Sequence, residues 1–169
     1  SMSLDNEYSE GAADRMSWQA AQILRDAELT DGLTAAQHDQ LARIGQLRSY
    51  APGDLICDEH ATSDEVYVIG SGEVEVWIDP ANIGKAGAQP RRIAVLDMRQ
   101  TCGELALLDG GVRSAQLRAG PNGARLVALK HAELIKLCER DTAIGFRIMY
   151  NLAASLALRL RLQDMRLYA

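Results

Sequence analysis

The spacing of apolar positions along this chain changes three times, and each change predicts a different kind of element. Trp18, Ala21, Ile23 or Leu24 and Ala27 recur at helical spacing until Thr30-Asp31-Gly32 breaks the run. A second helix is predicted to start at Thr34, whose hydroxyl suits an N-cap, and to carry Leu41, Ile44, Leu47 and, at its end, Tyr50. Ahead of both, residues 1–17 scatter Asp5, Glu7, Glu10 and Asp14 among Ser, Gly and Ala. With neither periodicity nor bulk, they read as a disordered leader.

From Ala51 the period shortens to two. Pro52-Gly53-Asp54 is a turn, Leu55 and Ile56 start a strand, and Ala61-Thr62-Ser63-Asp64 turns again. Val66 to Ile69 is a strand ending at Gly70-Ser71-Gly72. Glu73 to Ile78 then alternates polar and apolar, as a strand with one wet face does. A Pro-, Gly- and Ala-containing loop fills Asp79 to Pro90. Strands follow at Arg92 to Leu96, Ala115 to Arg118 and Leu126 to Leu129, the last two separated by Gly120-Pro121-Asn122-Gly123. Many short strands between turn signals imply a sandwich, jelly roll or small barrel.

Helical spacing returns at His131 and holds to the end. Ala132 to Cys138 makes a short helix, and Asp141 opens a long one through Ile144, Ile148, Leu152, Leu156 and Leu160 to about Met165. Its apolar stripe is widened by Met149, Tyr150, Ala153, Ala157, Leu158 and Leu162 beyond what one sheet covers. A second face is therefore expected to meet a partner. That partner is a second copy in a helix pair or a further segment of a longer native protein.

Composition narrows the class. At 169 residues and 47% apolar the chain holds one domain with a real core. A net charge of -5 argues against a generic nucleic-acid binder, which works by releasing counterions through many Lys and Arg. Cys57, Cys102 and Cys138 are widely spaced, odd in number and form no CxxC, which fits a reducing compartment. Nothing reads as a secretion signal or membrane span, so a cytoplasmic location is expected. His38, His60 and His131 lack metal-site spacing, and no G-x-S-x-G or paired serine and histidine stands out. Neither a metal nor catalysis is expected.

One stretch is built for chemistry. Thr101 to Ala115 places a glycine, a carboxylate, a helix-forming run, a diglycine turn and an arginine together. Gly103 lets backbone approach a ligand, and the first N–H groups of the run from Glu104 to Leu108 lack intrahelical partners. Arg113, after Asp109-Gly110-Gly111, can fold back with a fork of donors for an oxyanion. Glu104 then needs something neutral to accept from, as a sugar hydroxyl beside a phosphate supplies. The alternative is a structural ion pair of Arg113 with Glu104 or Asp109, and Cys102 in turn reads as a small hydrophobe rather than a redox sensor.

Four motifs in order then carry a resemblance: Tyr50-x-x-Gly53-Asp54-x-Ile56; Asp64-x-x-Tyr67-x-Ile69-x-x-Gly72-x-Val74; Gly103 to Leu108; and Arg113-Ser114-Ala115. Over roughly residues 30 to 165 the chain resembles the cyclic nucleotide-binding domain. The resemblance implies a mostly β fold, an eight-stranded double-stranded β-helix (jelly roll), with N-terminal helices and a long C-terminal helix. On this sequence the parts fall as lead-in helices 18–49, jelly roll 50–130 and C-terminal helices 131–166, within one domain, 18–169.

By position, the resemblance gives Glu104 the ribose 2′-hydroxyl and Arg113 the exocyclic phosphate oxygens. Gly103, Leu105, Ala106, Ser114 and Ala115 complete the cassette, and Arg161 and Gln163 are the candidates to meet the base. It implies a non-enzymatic sensor of cyclic AMP or cyclic GMP with no other cofactor, acting through its C-terminal helices on an unidentified effector protein. The chain departs from the family's pattern at His60-Ala61, Cys102, Val112 and Gln116. DNA binding, which some members perform with a following helix-turn-helix, is not expected of the few residues after Met165. The competing reading is a ligand-independent dimerisation or protein-interaction module on the same scaffold.

Overall fold

The computed structural model describes residues 2–58, 64–109 and 115–167. Helix α1 (Met2–Asp26) leads through a 3-10 turn (Glu28–Thr30) to α2 (Ala35–Ala42). Strands β1 (Gly45–Tyr50), β2 (Leu55–Cys57), β3 (Glu65–Ile78), β4 (Arg91–Leu96) and β5 (Thr101–Cys102) precede α3 (Glu104–Asp109). Strand β6 (Gln116–Lys130) then leads to α4 (His131–Arg140) and α5 (Thr142–Leu167). All strand pairs are antiparallel. The order is β1-β6-β3-β4, with β2 added to β6 and β5 to β3.

The six strands reconcile with the expected eight because β3 and β6 are each long and bent, serving both layers of the roll. The Gly70-Ser71-Gly72 and Gly120 to Gly123 signals, expected to end strands, instead mark register shifts inside a continuous ladder. Gly72 and Gly123 have φ of +70° and +72°. A Cβ on Gly72 would lie 2.1 Å from the Gly123 carbonyl oxygen, so the two strands bend against each other where neither carries a side chain.

Both faces of the first half of β3 are buried, which explains its unbroken apolar run. Val66 and Val68 join Val127 and Leu129 against Leu24, Leu41, Leu134, Ile144 and Ile148 of the helices. Tyr67 and Ile69 turn the other way, with Leu126, Ala128 and Cys102, into the interior of the roll. Cys102 is 5% exposed, a small buried group within this core.

Three expectations need correcting. Helix α1 begins at Met2, not Trp18. Periodicity reports burial whereas propensity reports helix, and the leader contains Met, Leu, Glu and Ala but no packing stripe. Trp18 itself is 64% exposed, and the buried positions are Ala20, Leu24 and Ala27. The lead-in helices do not reach residue 49: Thr34 does cap α2, in a capping box with Gln37, but the helix ends at Ala42 and the roll starts at Gly45. Leu41, Ile44 and Leu47 mimic helical spacing, yet Gly45 to Tyr50 pairs with Leu129 to Ala124 along β6.

At the C-terminal end the reading holds. The Asp141 carboxylate accepts from the Ile144 amide at 3.2 Å and so opens α5. Ile144, Ile148 and Leu152 bury one stripe of α5, while Phe146, Tyr150, Leu158, Leu160, Leu162 and Met165 stay exposed. No described helix is long and apolar enough to cross a membrane.

Candidate functional site

Strand β5 delivers the chain to Gly103, whose φ of +88° turns it directly into α3. The first residue of that helix is Glu104, 5% exposed. A buried carboxylate needs a partner, and Glu104 has one: Arg159 of α5 donates from Nη1 to Oε1 at 2.6 Å. The bond joins residues 55 apart in sequence and ties the candidate cassette to the last helix.

Glu104 and Arg159 also line a small, partly open cavity of about 10 Å³, room for one water, with Leu29, Thr101, Asn151, Leu152 and Ser155 among its other walls. The Thr101 hydroxyl is buried there with no partner among the described residues. Asn151, Ser155 and Arg159 stand four residues apart and form one polar stripe of α5. At its start, the Asn151 side-chain amide donates to the carbonyls of Leu29 and Asp31, each at 2.9 Å.

Of the candidate site residues, Gly103 forms the turn out of β5 and Glu104 opens α3. Ala115 is half-buried at the entrance to β6, and Leu105 and Ala106 lie in α3. Arg113 and Ser114 lie outside the described residues, as do the His60-Ala61 departure and the diglycine turn. Arg161 and Gln163 are exposed on α5. Gln163 follows Arg159 by one turn on the same face, whereas Arg161 points about 200° away from it. The Gln116 amide donates to Asp58 at 3.1 Å and its carbonyl accepts from Arg118, whose guanidinium lies 4.7 Å above the Trp77 ring.

Arg159 is the residue that sequence reasoning missed. With Arg161 and Arg166 it makes the end of α5 basic, which by itself reads as a solvated helix face. Its position at the end of the stripe that begins with Asn151 and Ser155, beside the buried Ile144, Ile148 and Leu152, was the available signal.

Among the described residues three groups outside the cassette shift, and the first is Arg48, which its bond to Glu65 raises. The Arg92 guanidinium holds the Glu75 carboxyl below its ordinary value through a 2.9 Å bond, and burial raises the Cys138 thiol on α4. Among the described residues no three His, Cys, Asp or Glu converge as a metal set.

A bent antiparallel roll holding a glycine, a buried glutamate and a short helix between β5 and β6 is the arrangement of a cyclic nucleotide-binding domain. The profile of that family, described as the cyclic nucleotide-binding domain, matches residues 47–141, and the chain belongs to it. It is 30% identical over 148 residues to the cyclic AMP receptor protein of Thermus thermophilus, covering 85% of this chain and 62% of that protein. The crystal structure of Thermus thermophilus catabolite activator protein is similar at a TM-score of 0.69 and 31% identity, over 83% of this chain and 62% of that one. A cyclic nucleotide-binding domain from Methylobacillus flagellatus shares the fold at a TM-score of 0.74 and 21% identity, over 91% and 83% of the two chains. The chain therefore spans about three fifths of the Thermus relative's length.

Proposed function

We propose that this chain is a non-enzymatic, cytoplasmic receptor domain for a 3′,5′-cyclic purine nucleotide, cyclic AMP in the first place, and that it signals through its C-terminal helices. Glu104 accepts the ribose 2′-hydroxyl, Arg113 pairs with the exocyclic phosphate oxygens, and Ser114 with the amides around Leu105 and Ala106 completes the phosphate's partners. Gln163, on the Arg159 face of α5, is the better placed of the two candidates for the base.

The observation that carries the reading is the Glu104–Arg159 pair. A carboxylate 5% exposed, at the turn from β5 into α3, is bonded to the helix that would have to report binding. A ligand hydroxyl arriving at Glu104 changes the bonds around Arg159, and the change passes from the cassette to α5 through that residue. The Thermus relative's name, a cyclic AMP receptor, supports the choice of nucleotide.

Isothermal titration with cyclic AMP and cyclic GMP tests the proposal. Micromolar or tighter binding of one is expected. No heat with either at concentrations well above micromolar refutes it.

A second reading rests on a different observation. Phe146, Tyr150, Ala153, Ala157 and Leu160 are all exposed on α5 and follow one another at spacings of four, three, four and three, the seam of a helix pair. The chain would then be a dimerising module indifferent to nucleotide. Light scattering with and without cyclic AMP separates the readings: a dimer that ignores nucleotide favours the module, and a ligand-linked change of mass or shape favours the receptor.

A further inference from the structure

Bonds around the cassette close into a ring that passes through the lead-in segment. From Glu104 the ring crosses to Arg159, then runs back along α5 to Asn151, two turns and about 12 Å away. Asn151 grips the carbonyls of Leu29 and Asp31, which bracket the buried Thr30 of the 3-10 turn. At the start of that turn the Glu28 amide donates to the Arg99 carbonyl at 3.0 Å. Arg99 lies two residues before β5, so the chain itself carries the ring back through Thr101 to Glu104.

Arg99 is also the only described non-glycine residue with positive φ, at 76°. Its amide donates to the Ile69 carbonyl at 2.9 Å and its Nε to the Asp26 carbonyl at 2.8 Å. A left-handed arginine persists only where its surroundings hold it, and these bonds do so. The strained turn that enters the cassette is thus fastened to the lead-in segment, and the lead-in segment, which packs Leu29 and Leu33 against Ile148 and Leu152, is also hydrogen-bonded to α5 through the Asn151 side chain.

We propose that Asn151 is a positioning residue for the nucleotide site. It sets the height of α5 against the 3-10 turn, so that Arg159 meets Glu104 and the turn at Arg99 keeps its conformation. Asn151 touches no ligand. Its influence reaches Glu104 from two sides, through α5 and through Glu28 and Arg99. The proposal rests on the receptor reading of the cassette for its effect on affinity, but not for the ring itself.

The test is Asn151→Ala in the full chain. Alanine favours helix, so α5 keeps its own backbone bonds while both carbonyls lose their donor. The dissociation constant for cyclic AMP is expected to rise about tenfold, the effect of losing two ordinary hydrogen bonds in part-exposed surroundings. Hydrogen exchange at the Glu28 and Arg99 amides should also quicken. A lower Tm with unchanged affinity overturns the positioning role, since a purely structural asparagine gives that result. Should the unaltered chain bind no cyclic nucleotide, the receptor reading falls and exchange alone judges the ring. Unchanged exchange at Glu28 and Arg99 in the variant then overturns it, and faster exchange upholds it.

Discussion

Replacing Arg159 with alanine strips the Glu104 carboxylate of its described ion-pair partner. The Glu104 side chain is 7% exposed and the Arg159 side chain 42%. A hydrogen bond to a charged group contributes about 1.5–3 kcal/mol, and the exposed guanidinium draws the figure towards the lower end. We therefore expect a loss of about 2 kcal/mol at pH 7, which for a chain of this length lowers Tm by roughly 4–8 °C. Thermal melts of the unaltered chain, Arg159→Ala, Glu104→Gln and the double variant form the cycle that isolates the pair. The double variant should lose about 1 kcal/mol or more less than the sum of the two single losses. Additive losses, or an Arg159→Ala melt within about 1 °C of the unaltered chain, would refute the idea that this pair ties the cassette to α5.

Two more outcomes follow from the geometry. Gly72→Ala adds a Cβ 2.1 Å from the Gly123 carbonyl oxygen on a backbone with φ +70°; chemical denaturation should show a loss of more than about 3 kcal/mol, or no folded protein at all. Glu75 has its carboxyl held low by Arg92, so the pair's contribution is present above the ordinary carboxylate range and fades as pH falls through the lowered value. Glu75→Gln should therefore flatten the fall in Tm between about pH 5 and pH 3, and an unchanged slope would show that the pair contributes nothing.

How much of this was legible depended on how far apart the interacting residues lie. Thr34 and Asp141 announce their helices because a cap acts on amides two or three residues on. The apolar run Val66 to Ile69 announces a strand buried on both faces, since neighbouring side chains alone create the pattern. Gly45 to Tyr50 was misread because Leu41, Ile44 and Leu47 satisfy helical spacing locally, and the decision is made by β6, some eighty residues downstream. The turn signals within β3 and β6 were read correctly as bends but wrongly as ends, because a glycine pair says that the chain deflects and not that the ladder stops. Glu104 stood out by its motif. Its partner Arg159 did not, because no local rule assigns a role to one arginine among several on an amphipathic helix.

The two bent strands bear on how this molecule can come apart. In β3 and β6 the roll shares its longest members between its two layers, pairing from Glu65 with Lys130 to Trp77 with Gln116. Neither layer owns a complete set of strands, so one layer cannot melt while the other keeps its edges satisfied. The roll should open all at once, as a single cooperative unit. Partial opening at low free-energy cost is then left to what lies outside that ladder: the short helix after Gly103 and the outer half of α5. Those are the pieces that the bond between Glu104 and Arg159 holds together, so the parts free to rearrange are the ones that surround the site.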